Sequence, residues 1–521
     1  MRKSWVERYQ GLILIVLGLI VLRIPSLFEP YWYGDEGIYL TLGMALRKGL
    51  VFYRDIHDNK PPLLYLAAAV AQTQFWFRFI LLWWQAATTV AVYKLAELIF
   101  TRLPRPAKGG ALPEADRRND AKGKRALLVT ILFVALVTVF EGNIANGEIF
   151  MILPATVGML IIVTGYRLQV TGWKYFLAGL LFAAGFLFKV PAGFDFLAAA
   201  AFLVIGEIRG IRGIRGVWGK IWSRELWLMA AGFVLPILIS VVYYTKAGAF
   251  QPYVRSALLQ NVGYLQSWKT GDNSSGGFAS ESGLARRAAG LVLGTAAIWW
   301  AGKRLKVDWQ SQFAGLWFLY SLFGALLSER PYPHYLIQAA VPAALVAGLV
   351  IYGRQKAARA GLVGLGTAGV MAYFSIGFWG YPIFPYYQNF LDFSLMKKTR
   401  DEYFSYFGNR VPDNYRLAGY LRAATDEGER IFVWGDEPFI YPLAGRLPAG
   451  RYTTAYHVVD FGGYEETIKA IEETKAAAIV KYPMEQREFP QLETILRDDY
   501  IKGPKFGDAE VYHRLEVRGQ K

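Results

Sequence analysis

Two short stretches near the start of the chain concentrate residues able to take up protons and bind anions. The first reads Tyr31-Trp-Tyr-Gly-Asp35-Glu36-Gly-Ile-Tyr39, and the second reads Tyr53-Arg54-Asp55-Ile-His57-Asp58-Asn59-Lys60-Pro61-Pro62-Leu-Leu-Tyr65. Asp35-Glu36 is a paired carboxylate at the start of a helical pattern, and Lys60 lies a short loop later, able to bring a cation to the same face. A carboxylate can accept a proton from a nucleophile, and a lysine is a compact cation for an anionic group. Negative charge at a helix start is also favoured on structural grounds alone, so the pair has a plain reading beside the chemical one.

The elements that must hold these residues are membrane helices. The chain has 521 residues, of which 54% are hydrophobic and 16% aromatic. Apolar runs such as 11–28, 75–100, 226–244 and 335–352 recur along it, and about 20 apolar residues are needed to cross a bilayer. Backbone in lipid must satisfy its own hydrogen bonds, so each run is expected to be a helix. Further runs near 126–140, 149–166, 175–190, 192–206, 286–301, 311–328 and 361–380 bring the expectation to about eleven spans. The first run lacks a small-residue cleavage site and reads as a span rather than a signal peptide.

Charge gives the orientation. The stretches 1–10, 101–125, 167–174, 206–225, 302–308 and 353–360 hold 24 Lys/Arg and seven Asp/Glu, leaving 33 and 34 for the rest of the chain. Short loops rich in Lys/Arg stay on the cytosolic side. The formal charge of +16 is therefore topology and not a nucleic-acid footprint. The N-terminus is expected in the cytosol, and an odd number of spans places the C-terminus outside. Residues 29–74 form a large outer loop, and 101–125 reads as a cytosolic linker. Within the outer loop, Glu36–Lys48 has the pattern of a helix lying in the membrane interface, with Leu40, Met44 and Ala45 on its apolar side.

Residues 381–521 change character. Helical periodicity over 414–424 and 464–475 alternates with strand-like runs at 430–435, 476–481 and 509–515, the pattern of a small α/β domain. It carries neither a Gly-rich phosphate loop nor a hydrolase elbow and reads as a cap or acceptor-docking module. The expected organisation is a membrane domain over 1–380 and an α/β domain over 381–521 outside the cytosol. The absence of cysteine excludes disulfides and thiol catalysis, and the count of four histidines argues against a multi-histidine metal cage.

The order of a helix, Asp35-Glu36, an interfacial helix and then Asp58-Asn-Lys60-Pro-Pro-Leu-Leu-Tyr65 resembles the first outer loop of GT-C class glycosyltransferases. It is most similar to the branch of protein O-mannosyltransferases and lipid A aminoarabinose transferases. Three more segments agree: Glu141-Gly-Asn143-Ile-Ala-Asn146-Gly-Glu148, Phe188-Lys189-Val-Pro191 and Glu329-Arg330-Pro-Tyr332-Pro-His334-Tyr335. The resemblance covers about residues 1–380. It implies a polytopic GT-C-like protein that moves a sugar from a polyprenyl-phosphate carrier to a protein, lipid or glycan acceptor outside the cytosol, with inversion. A plasma-membrane location in a bacterium is implied with it.

The resemblance also implies roles. Asp35 matches the catalytic base, and Lys60 matches the lysine that binds the lipid phosphate. Glu36, Tyr39, Asp58, Glu148, Lys189, Arg330 and His334 complete the substrate-contacting set. Arg330 suits phosphate because it can make two parallel hydrogen bonds. Glu148 as a helix-start carboxylate, Lys189 as a snorkelling lysine, His334 as an interfacial histidine and the tyrosines as a membrane belt are the plain alternatives. No metal ligand is assigned. The aminoarabinose branch has a metal-binding glutamate directly before the lysine, and here that position is Asn59. The sequence neither requires nor excludes a divalent metal. A transporter or lipid-linked saccharide flippase is the alternative function, although the chain lacks a visible internal repeat.

Overall fold

A computed structural model describes residues 5–101, 113–168, 172–205, 223–260, 281–328, 330–484 and 487–515. The chain divides into two compact units. The first comprises residues 1–24, 81–241 and 261–381; the second comprises 25–80, 242–260 and 382–521.

The first unit is helical, and every segment predicted as a span falls on a helix. The elements are α1 (Trp5–Arg23), most of α4 (Gln74–Phe100), α5 (Pro113–Val139), α6 (Gly147–Leu168), α7 (Trp173–Phe188), α8 (Gly193–Ile205), most of α9 (Arg224–Lys246), α11 (Glu281–Arg304), α12 (Trp309–Ala325), α13 (Ile337–Tyr352) and α14 (Lys356–Ile376). Among the described residues, six stretches are long and apolar enough to cross a bilayer, over 9–27, 74–100, 147–168, 224–246, 333–352 and 356–376. The stretches 173–188 and 190–205 are apolar but shorter. The stretch expected as a linker over 101–125 is helical from Pro113, because the proline opens α5 at a position where no backbone donor is needed. Residues 102–112 and 206–222, also expected as cytosolic loop, lie outside the described residues.

Without a water-driven attraction between helices, close packing and polar contacts hold such a bundle. Gly179 of α7 and Gly232 of α9 supply the first. A Cβ on Gly179 would fall 2.1 Å from the Met229 carbonyl oxygen, and one on Gly232 would fall 2.0 Å from that of Phe176. Asp195 of α8 supplies the second. Its carboxylate accepts hydrogen bonds from Trp317 Nε1 (2.6 Å), Ser321 Oγ (2.8 Å) and Gln338 Nε2 (3.1 Å), tying α8 to α12 and α13.

The second unit is α/β. Five strands, β1 (Arg430–Trp434), β2 (Leu447–Pro448), β3 (Ala478–Lys481), β4 (Tyr500–Phe506) and β5 (Ala509–Arg514), form one sheet in the order β2-β1-β3-β5-β4. β1 pairs in parallel with β2 and β3, while β5 runs antiparallel to β3 and β4. Apart from Arg430 and Lys481 at their ends, β1 and β3 are apolar and buried, as strands covered on both faces require. The runs expected at 430–435, 476–481 and 509–515 are β1, β3 and β5. β4 was not expected, since most of its residues face solvent at the sheet edge.

The helices of this unit are α2 (Gly34–Arg47), α3 (Leu63–Ala71), α10 (Phe250–Tyr253) and α15 to α21 (Ile383–Ser394, Arg400–Ser405, Val411–Ala424, Ile440–Ala444, Ala455–Asp460, Tyr464–Thr474 and Pro490–Asp499). The first turn of α4 also belongs here. The expectation for Glu36–Lys48 is corrected. α2 is not an interfacial helix, because residues Glu36 through Ala45 are all buried inside the unit. Gly37 is what permits it: a Cβ there would lie 2.7 Å from the Phe439 backbone nitrogen. Thr41 Oγ1 donates to the Gly37 and Pro438 carbonyls (2.7 and 3.0 Å), and the His57 amide donates to the Arg451 carbonyl (3.0 Å). The first loop and the C-terminal segment thus share one core.

Candidate active site

Asp35 stands in the first turn of α2, its side chain about one-third exposed. Tyr39, one helical turn on, donates its hydroxyl to Asp35 Oδ2 at 2.9 Å. Lys60 Nζ lies 3.5 Å from Asp35 Oδ2 and 3.7 Å from Asp58 Oδ2. It also sits 5.0 Å from the centre of the Tyr39 ring, within cation–π range. The sequence order brings these residues together as expected, and the loop between them is locked. Tyr53 adopts a left-handed φ of 71°, sparsely allowed for an aromatic residue. Its hydroxyl donates to the Lys60 carbonyl at 2.8 Å.

Asp58 is buried behind the lysine. It accepts from Tyr65 OH at 2.6 Å and from the Asn59 amide at 2.7 Å. Burial, reinforced by the Asp58 charge, pushes the Tyr65 phenol well above its ordinary range, so it serves Asp58 as a proton donor. His457, from α19, brings Nε2 to 3.9 Å from Asp58 Oδ1. Burial lowers its basicity, with Asp58 opposing and Lys60 assisting that shift. His57 is lowered further, by burial first and then by His457, Arg451 and Arg255. Both imidazoles are held neutral, and Lys60 is the cation between the two aspartates.

Glu36 faces the other way. Its side chain is 3% exposed, and Arg78, itself fully buried, binds it through Nε (3.0 and 3.1 Å) and Nη2 (2.6 Å). Arg78 Nη1 pairs with Glu29 at 2.7 Å and also donates to the Ser26 carbonyl. Glu29 in turn accepts from Trp32 Nε1 (2.8 Å) and Tyr386 OH (2.6 Å). Expected to contact a substrate, Glu36 is held in a buried pair with Arg78.

The remaining candidates belong to the first unit. Glu148 opens α6, buried, and pairs with Lys189 at the C-terminal end of α7. The Lys189 ammonium lies 4.4 Å from the centre of the Tyr335 ring. His334, in a helical turn over Pro333–Leu336, places Nδ1 3.0 Å from Glu141 Oε2, both side chains buried, and its ring stacks on Tyr332. Arg330, half-buried, precedes this turn; Glu329 lies outside the described residues. Within the unit, Glu148 and Lys189 form an ion pair beneath Tyr335, and His334 meets Glu141 in a separate hydrogen-bond contact. Among the described residues no three His, Asp or Glu side chains are placed to hold a metal ion.

Sequence reasoning missed Glu29, Arg78 and His457. An arginine inside the apolar run of α4 was a usable signal, since a charge there is costly unless paired. His457 gave none, because its proximity to Asp58 is made by tertiary packing across 399 residues.

No family model matches the chain, and comparison with curated proteins finds no relative. Solved structures do resemble it. The crystal structure of ArnT from Cupriavidus metallidurans bound to undecaprenyl phosphate superposes with a TM-score of 0.54 at 12% identity, covering 98% of this chain and 100% of that one. The apo structure of the same protein gives 0.49 at 13% identity, over 98% and 99%. The archaeal oligosaccharyltransferase AglB from Archaeoglobus fulgidus, in complex with an inhibitory peptide and a dolichol-phosphate, gives 0.44 at 12% identity, over 99% and 75%. The first of these carries the fold: this chain has the GT-C membrane-protein architecture over nearly its whole length.

Proposed function

We propose that the protein transfers a sugar from a polyprenyl-phosphate carrier to an acceptor on the extracytosolic side of the membrane, with inversion at the anomeric carbon. The observation that carries this reading is the partly exposed Asp35–Lys60 pair, 3.5 Å apart, backed by Tyr39 and Asp58. The GT-C fold and the undecaprenyl phosphate bound by its structural neighbour support the class of donor.

In this reading the acceptor hydroxyl attacks the anomeric carbon as Asp35 takes its proton. The bond from that carbon to the phosphate oxygen breaks, and the electron pair leaves with the lipid phosphate. Lys60 stabilises the charge that gathers there. A phosphate arriving beside Lys60 competes with Asp35 and Asp58 for the ammonium, which leaves the Asp35 carboxylate to the hydroxyl. Glu148, Lys189, Arg330 and His334 are assigned to donor or acceptor contacts. Membrane residence follows from the donor, whose isoprenoid tail stays in lipid.

The test is release of free polyprenyl phosphate by purified protein supplied with a sugar-charged carrier and candidate acceptors. Lys60→Ala should slow release by about 10²–10³, the cost of a lost charge-stabilising donor. Lys60→Arg should recover part of the rate. Turnover of a nucleotide sugar without lipid phosphate release would overturn the reading.

A further inference from the structure

The interfacial helix that the sequence placed at α2 has a better candidate in α15. Its inward stripe carries Tyr386, Asn389 and Phe393, and Phe393 stacks on Tyr403 of α16 with ring centres 4.4 Å apart. Its outward stripe is largely apolar, interrupted by Gln388, whose side chain donates to Asp392 at 2.8 Å. Phe384 is 88% exposed, and Leu391 and Leu395, about two and three turns along, lie on the same side at 51% and 63%. Met396, at the end, is 93% exposed. A helix facing only water would not present four large apolar side chains along one side.

The chain itself says what covers this face. Phe28 follows directly on the apolar stretch 9–27, is itself half-exposed, and brings its ring to 5.8 Å from that of Phe390 in α15. At the other end, only residues 377–382 separate α15 from the apolar span α14. Six residues reach at most about 20 Å. The chain thus joins α15 to α14 through six residues and packs it against the residue that directly follows the apolar stretch 9–27, and Lys397 at its exposed end suits lipid phosphates. From its inward side a buried chain runs to the site: Tyr386 OH to Glu29 (2.6 Å), Glu29 to Arg78 (2.7 Å), Arg78 to Glu36 (2.6 Å), next to Asp35.

We propose that α15 lies in the bilayer interface with Phe384, Leu391, Leu395 and Met396 among the lipid chains, and that through Tyr386, Glu29, Arg78 and Glu36 it sets the height of Asp35 above the membrane. The first half is independent of the proposed reaction; the second rests on it only for the meaning of Asp35. A polyprenyl-phosphate head is confined to the lipid surface, so a base acting on it must be held at matching height. A misplacement of about 1 Å can cost about 10²-fold in rate.

The experiment uses full-length protein in phosphatidylethanolamine–phosphatidylglycerol nanodiscs, with an environment-sensitive dye on single cysteines at Phe384, Met396, Asp35 or, as a control, Glu427. Labels at 384 and 396 should emit blue-shifted and be quenched by chain-brominated lipid, while the label at 427 should behave as in water. Equal, water-like emission at 384 and 427 would overturn the seating. The Asp35→Cys label should lose quenching by headgroup-nitroxide lipid when Phe384→Ser and Leu391→Ser are added, and when Tyr386→Phe cuts the chain. An unchanged depth at residue 35 in both backgrounds would overturn the height-setting role. Neither readout needs transfer activity, so a failed transferase assay and a failed seating are separate results.

Discussion

Asp35 and Glu36 are chemically similar neighbours with opposite surroundings, because successive side chains on a helix point about 100° apart. Asp35 shares Lys60 with Asp58 at the edge of the unit, whereas Glu36 is sealed against Arg78. The two substitutions should therefore fail in different ways. Asp35→Asn keeps shape and hydrogen bonding but cannot accept the proton. It should fold, bind donor about as well as the parent, and transfer sugar at least about 10²-fold more slowly. Glu36→Gln leaves the buried Arg78 guanidinium short of one charge, and breaking a buried pair in this way costs about 3–5 kcal/mol. It should lower the unfolding temperature and, by weakening the link that positions α2, reduce transfer as well, though by less than Asp35→Asn does. Donor binding, transfer rate and thermal unfolding measured side by side decide this. Near-normal turnover in Asp35→Asn removes it as the base, and an equal collapse of turnover in both points to a shared acceptor or metal site. At this scale Asp35, Asp58 and Lys60 stood out because they fall in two polar stretches of one short segment, and the loop brings them together. Glu29, Arg78 and His457 were not, since each becomes relevant only by packing.

α2 shows how an element can be found correctly and placed wrongly. Leu40, Met44 and Ala45 make an apolar stripe at helical spacing, and such a stripe forms against lipid or against protein alike. The remaining faces carry the discriminating signal: Gly37, Ile38, Leu42 and Gly43 leave almost no polar surface for an interface. Gly37 then becomes a sensitive position. With a Cβ 2.7 Å from the Phe439 backbone nitrogen, Gly37→Ala must push α2 away from α18, an overpacking cost of about 1–3 kcal/mol. Because Asp35 is two residues away, transfer should fall along with stability. Gly419→Ala in α17, where the new methyl meets nothing within 4 Å, should instead raise stability by about 0.5–1 kcal/mol and leave transfer intact. Thermal unfolding and activity of both variants check this; a neutral Gly37→Ala would show that α2 is not confined by α18. The strands follow the same logic. β1, β3 and β5 were legible from apolar runs, while β4 carries a solvent-facing pattern that resembles loop until its partner is known.

For the whole molecule, charge is the feature read most directly from sequence, because lipid sorts loops by their lysines and arginines before any tertiary contact exists. Of the 57 Lys/Arg, 24 fall in the six short stretches assigned to the cytosol, against seven of the 41 Asp/Glu. The remainder is nearly neutral, as expected of an outer surface free of that bias. The second unit was less legible as a body, since residues 25–80 and 382–521 share it across about 300 intervening positions, and nothing in local patterning ties them. Orientation decides whether the proposed chemistry is possible at all, because Asp35 must face the side on which a carrier-linked sugar is displayed. The absence of native cysteine allows a clean test. Lys356 and Glu427 are both exposed, one at the basic start of α14 and the other in the turn before β1. In intact cells an impermeant thiol reagent should label Glu427→Cys and leave Lys356→Cys untouched until the membrane is opened. Labelling of Lys356→Cys alone would invert the molecule and place Asp35 in the cytosol, where nucleotide sugars become the natural donors. Labelling of both would mean that α14 does not separate the two positions, and the span count would fall with it.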